Sequence, residues 1–239
     1  PLDFTAVTDH AEFYGQINVC TLDDSKLGYW WPHCMMTRAS NIWLQLLAAN
    51  WWTDLGGQLE DPPSKSFACS VSDCDKGDRE TWQQTQQAAE DHYDRSEECG
   101  FTTFVAYEYT EAFDQNNMHR NVIFRNTEVP AMPVSVYDTG YDSFPSLWRQ
   151  LRTRCTDQDN ACDVLSIPHN SNLAGGRMFR DPENERETLD RLFFEPVVEL
   201  IQHKGASECR FDRLRKMGLD TIDEACDFEQ IPADNLNMM

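Results

Sequence analysis

The 239-residue chain has no run of about eighteen apolar residues, so nothing in it reads as a membrane-spanning helix. Basic residues are scarce: 20 Lys and Arg stand against 41 Asp and Glu, for a formal net charge of −21. Such a chain repels phosphate backbones, which argues against sequence-independent nucleic-acid binding, and a well-hydrated surface is the plainest meaning of its acid. No Cys-x-x-Cys pair occurs among nine cysteines, which argues against a zinc ribbon. There is no Pro/Ser/Gly-rich linker, internal repeat or low-complexity tract, so residues 1–239 read as one α/β domain. An initiator Met is lacking, and Pro-Leu-Asp-Phe carries neither a basic nor an apolar leader pattern. Because Leu2 to Val7 already reads as a buried strand with no turn or cap before it, the sequence is expected to be an internal piece of a longer protein.

Cys69 and Cys74 flank a polar loop, Ser70 to Asp73, and can close a small disulfide ring outside the reducing cytosol. Buried or loop thiols fit the same spacing. The compartment stays open, with a periplasmic or secreted location slightly less favoured than a cytoplasmic one on cysteine evidence alone.

Residues 11–79 alternate turn signals with short helical patterns such as Ala39 to Trp52, and are expected to form a long irregular insertion. Its tryptophans are expected to fix it to the core, the alternative being that they line a cleft. Arg79 to Glu98 is helical, with Trp82, Gln86, Ala89 and Tyr93 on one stripe. Phe101 to Tyr109 and Asn121 to Phe124 have the spacing of a hairpin. Helices at Ser146 to Thr153 and about Asn184 to Phe194 then alternate with strands at Val164 to Ile167 and Val197 to Ile201, which predicts parallel pairing with right-handed crossovers.

Chemistry concentrates where strands end. Asp-Val-Leu-Ser-Ile-Pro delivers His169 into a polar turn, Leu2 to Val7 runs into Thr8-Asp9-His10, and Phe101 to Tyr107 precedes Glu108. Active sites of strand-then-helix folds gather at such ends. Neutral imidazole and carboxylate are donors for divalent cations, so His10, Glu108, His119 and His169 form the candidate ligand set, with Asp9 in a supporting or alternative role. Each histidine alone is more simply a hydrogen-bonded one; the repeated strand-end pattern favours a site. His92 reads as a solvated histidine, His33 belongs to the insertion, and His203 is a reserve ligand.

These residues also carry a family resemblance. Phe4-Thr5-Ala6-Val7-Thr8-Asp9-His10-Ala11-Glu12 resembles the second motif of the PHP (polymerase and histidinol phosphatase) metallohydrolase superfamily. Four longer segments, Phe101 to Thr110, His119 to Arg125, Ile167 to Leu173 and Val198 to Cys209, together resemble domain-of-unknown-function family 3604, a branch of that superfamily. The likeness runs from Leu2 to about Cys209. It implies an incomplete, distorted (β/α)7 TIM-like barrel, with 11–79 as a cap over its mouth. The first His-x-His motif would lie before Pro1 and the closing Asp-x-His beyond Met239, so an isolated piece would bind metal weakly and be inactive.

The resemblance further implies a metal-dependent hydrolase, a phosphoesterase first, with two or three divalent ions (Mn, Zn or Fe) and a metal-activated water. Position by position, His10 takes the second-motif histidine, Glu108 a bridging carboxylate, His169 a later strand-end histidine and His119 a further ligand place. The substrate would be a small anionic molecule, with Lys204, Arg120 and Arg177 as candidate charge donors near the ligands. A metallohydrolase of another ester or amide bond, and a non-catalytic metal-stabilised binding domain, are the competing readings.

Overall fold

The computed structural model describes residues 2–22, 24–56, 63–112, 117–141, 143–169, 174 and 177–200. The candidates Lys204 and His203 lie outside the described residues, as do Asn170 to Leu173 and the end of the strand expected at Val197 to Ile201. Helix and sheet are mixed, as expected of an α/β chain, in two small sheets and eight α-helices among the described residues. No closed barrel is formed among them.

The first sheet pairs β1 (Phe4–Ala6) in parallel with β2 (Thr102–Phe104). The second has the order β3 (Ala106–Tyr109), β4 (Arg120–Phe124), β5 (Val164–Pro168), antiparallel throughout. Phe101 to Tyr109 is thus two strands serving two sheets, broken at Val105, whose carbonyl accepts from Phe124 N at 3.0 Å. The predicted hairpin is present as β3–β4. The expected parallel pairing of the next strand is corrected: β5 runs antiparallel to β4 and therefore in the direction of β3. The long connection through α6 (Val136–Thr139) and α7 (Ser143–Leu151) does return the chain to the same starting edge, but β4 occupies the place beside β3. Residues 197–200 form no strand; Glu199 N donates to Pro168 O at 3.1 Å.

The region expected to be irregular is largely helical. It holds α1 (Tyr14–Thr21), α2 (Pro32–Thr37), α3 (Ile42–Gly56) and α4 (Ala68–Val71), and leads into α5 (Cys74–His92). Asp73 caps α5 by accepting from Lys76 N at 2.8 Å. Gly15 lets α1 approach α5 closely: a Cβ there would sit 2.1 Å from Cys74 O. Disulfides join Cys20 to Cys34, Cys69 to Cys74 and Cys155 to Cys162, so the small ring at 69–74 is closed. Two of the three staple the helical region, whose own core is small: Val19, Cys20, Cys34, Ala68 and Cys74.

The main core lies between the second sheet and α5, α7 and α8 (Glu185–Phe194), where Trp82, Tyr107, Phe124, Leu147, Trp148 and Phe194 are fully buried. The tryptophans divide by role. Trp82 is core and donates to Pro130 O at 2.9 Å, whereas Trp30 and Trp43 are exposed.

His33 in α2 is buried, stacks on Trp51 at 3.8 Å and has an Nε2 with no hydrogen-bond partner among the described residues. Burial pushes its pKa from 6.5 down to about 4. The unfolded chain then takes up a proton near pH 6.5 that the folded chain refuses until about pH 4, so acidification through that window destabilises the fold. In His33→Phe the fall in urea midpoint between pH 7 and pH 4.5 is expected to be smaller than in the parent; an unchanged fall would show that His33 does not contribute to it.

Candidate metal centre

Strand direction brings the ligand candidates together. β3 and β5 run the same way, so Glu108 near the end of β3 and His169 just after β5 reach one edge of the sheet. β4 runs the opposite way and begins at that edge, which puts His119, immediately before Arg120, between them. His169 N donates to His119 O at 3.3 Å. The first sheet joins through a parallel bridge between His10 and Glu108, with Glu108 N donating to Asp9 O at 2.9 Å.

The side chains converge on Glu108. His119 Nδ1 lies 3.0 Å from its Oε1 and His10 Nδ1 lies 3.2 Å from its Oε2. The His119 ring meets those of His10 and His169 at 5.4 and 5.0 Å. His10 is 46% exposed on its side chain against 12% for His119 and 15% for Glu108, so the cluster is open on the His10 side. Burial raises the Glu108 pKa, but the hydrogen bond and charge of His119 and the charges of His10 and His169 outweigh it and hold the carboxyl below its ordinary value. Glu108 is therefore an anion facing three imidazoles.

The donor set suits a divalent cation. One donor atom each from His10, Glu108 and His119 can be chosen so that all lie within 4.8 Å of one another. Two ligands of one ion at about 2.0–2.2 Å stand roughly 3.0–3.5 Å apart, which matches the nitrogen–oxygen separations at Glu108. Mn, Zn and Fe all accept such imidazole and carboxylate donors. A second group, Cys20, His33 and Cys34, is also close enough to hold an ion, but its sulfurs are joined to each other and lack the thiolate charge a metal needs.

Behind the ligands lies a pair of residues that strand-end reasoning did not single out. Thr110 Oγ1 is 2.6 Å from His10 Nδ1, and Thr110 N donates to Glu12 Oε1 at 2.7 Å. Glu12 is buried, which raises its pKa to about 8, and its Oε2 has no hydrogen-bond partner among the described residues. Glu12 stands inside the quoted Thr-Asp-His-Ala-Glu segment, but its approach to Thr110 depends on pairing between residues about a hundred positions apart. Thr110→Val removes the hydroxyl and keeps the backbone bond to Glu12. We expect it to weaken divalent-metal binding by about 10–100-fold in a competition titration with a chelating dye, the usual effect of losing a residue that orients a ligand. Unchanged affinity would remove Thr110 from the site.

The other candidates are placed differently. Asp9 contributes its backbone carbonyl to Glu108, and its carboxylate is exposed. Arg120 has no exposed surface: strand alternation turns it to the face of β4 shared by Val122 and Phe124. There it pairs with Glu195 at 3.1 Å and donates to Met118 O at 2.7 Å. The expected role of Arg120 as a charge donor at the cluster does not match this placement. Arg177 is exposed, with its backbone N on Ala174 O at 2.9 Å.

A family model described as Protein of unknown function (DUF3604) matches residues 1–239. The chain belongs to this family. No curated protein and no solved structure matched the chain. For this family member, the arrangement just described assigns concrete positions to a His–Glu–His–His cluster: two strand ends, one strand start and the bridge between two sheets.

Proposed function

We propose that this DUF3604 chain carries the metal centre of a hydrolase, a phosphoesterase first, built on a PHP-type barrel. The observation that carries this reading is the convergence of His10 and His119 on Glu108 at one sheet edge, with the His169 ring against His119. A divalent ion held there would supply Lewis acidity, polarising the ester and making a water a better nucleophile at neutral pH. Glu108 would hold the ion's charge between its two oxygens, while Thr110 fixes the orientation of His10. The exposed side of His10 would be the approach for substrate.

A neutral ester or amide is the second reading, favoured by one observation: Arg120 is committed to Glu195 and offers nothing to a phosphoryl group. A panel of 4-nitrophenyl phosphate, bis(4-nitrophenyl) phosphate, 4-nitrophenyl sulfate and 4-nitrophenyl acetate, offered to metal-loaded full-length protein, separates the two. We expect turnover of at least one phosphate ester that His169→Ala abolishes along with metal content; a His169→Ala protein retaining both metal and rate contradicts the proposal. The three disulfides among the described residues further support residence in an oxidising compartment, which cysteine spacing alone left open.

A further inference from the structure

A cavity of about 590 Å³ opens beside the cluster, with His10 and Asp9 on its wall. Its size is that of a small-molecule site. Phe13, Tyr14 and Trp52 supply aromatic surface, and Thr81 and Gln84 of α5 also line the cavity. Phe13 meets the His10 ring edge-on at 6.2 Å and the Trp52 ring at 5.5 Å, so one aromatic wall runs from the candidate ligand outward. Trp52 is fixed in place: its Nε1 donates to Thr37 Oγ1 at 3.0 Å and its ring packs edge-on against His33 at 5.5 Å. The disulfide between Cys20 and Cys34 ties α1 to α2 beneath it. The polar groups on the wall include the Gln84 amide and the Thr21 and Thr81 hydroxyls, and Asp9 is an acid. Among the described residues, no Lys or Arg lines the cavity.

We infer that this cavity receives the part of the substrate that is not cleaved, and that this part is an uncharged ring with a flat apolar face, an aryl or a sugar ring. The inference rests on the hydrolase reading for its meaning as a substrate subsite. Ring faces gain from stacking and edge contacts with pre-positioned aromatics, while amide and hydroxyl groups satisfy a neutral polar rim. A second anion here would face Asp9 within a chain of net charge −21. The cavity therefore divides labour with the cluster: charge is handled at Glu108 and its histidines, and shape is read on the Phe13–Trp52 wall.

Saturation-transfer NMR on the full chain, stripped of metal, tests this without requiring turnover. The probes are phenol, methyl β-D-glucopyranoside and benzoate, the last being the anionic control for the same ring. We expect phenol or the glucoside to bind, which tells the aryl from the sugar source, and benzoate to bind at least about fivefold more weakly. Trp52→Ala should weaken the bound probe by about five- to tenfold, and Trp52→Phe, which keeps a flat face, should stay near the parent. Absence of binding by both neutral probes, equal binding of benzoate, or binding indifferent to Trp52→Ala and Phe13→Ala would overturn the inference. Ring binding in a protein that hydrolyses no ester would instead sink the hydrolase reading, and hydrolysis without ring binding would do the reverse.

Discussion

Glu108→Ala is expected to lower the affinity of the protein for a divalent cation by at least about 100-fold, and any ester hydrolysis with it. The estimate exceeds the roughly 10–100-fold typical of residues that only orient a ligand, because Glu108 is the anion of the cluster and its two oxygens face the His119 and His10 imidazoles. Removing it also leaves three histidine rings facing one another with no anion between them. Binding then requires a cation to enter a site whose other donors carry no negative charge. Glu108→Gln keeps the shape and one acceptor but loses the charge, so it should fall between the two. Titration calorimetry with Mn and Zn on the parent and both variants measures this series. An affinity for Glu108→Ala within threefold of the parent would place the metal elsewhere.

Glu195→Ala is expected to be the most destabilising single change outside the site, at about 3–5 kcal/mol. Glu195 sits beneath the sheet with 4% of its side chain exposed, and one oxygen accepts from Arg120 Nε, Trp148 Nε1 and Ser166 Oγ at 3.1, 3.1 and 3.4 Å. Its loss strands the Arg120 guanidinium in the core under the Phe144 ring, 4.3 Å away, with its carbonyl bond to Met118 but no counter-charge of that kind. For a domain of this size the cost corresponds to a fall in Tm of roughly 6–20 °C. The double variant Arg120→Met/Glu195→Leu should recover most of the loss, because it removes both charges together. Calorimetric scans of the two proteins check this; a double variant no more stable than Glu195→Ala would show that the pair does more than neutralise itself.

The candidate ligands are legible in the sequence because each stands at a boundary with a strong local signal: an apolar strand that stops at a histidine or a carboxylate. His10, Glu108 and His169 follow that rule, and the structure brings all three together with His119. His119 obeys it in reverse, at the start of an antiparallel strand, and only the β3–β4–β5 order explains why it shares the edge. Arg120 shows where local reading stops. Proximity to a ligand in sequence placed it near the site, but one step along a strand turns a side chain to the opposite face. The same limit applies to the sheets, since hydrophobic runs give strands without giving partners, and β5 beside β4 reverses the expected parallel order. In the helical region the pattern at Ala39 to Trp52 is present as α3, but the disulfides and the close α1–α5 approach at Gly15 that join the helices are not recorded in periodicity. Trp52 packs as expected, against the small core of the helical region, and also lines the cavity, where Thr37 and His33 hold its ring.

The central claim is that His10, Glu108, His119 and His169 are one metal centre. Anomalous diffraction from crystals of the protein soaked in Mn or Zn locates bound ions directly. The account predicts an anomalous peak at coordination distance, about 2.0–2.3 Å, from Glu108 and at least two of the three histidines. Ions that bind only elsewhere, or a Glu108 carboxylate still held by His119 and His10 at saturating metal, would contradict it.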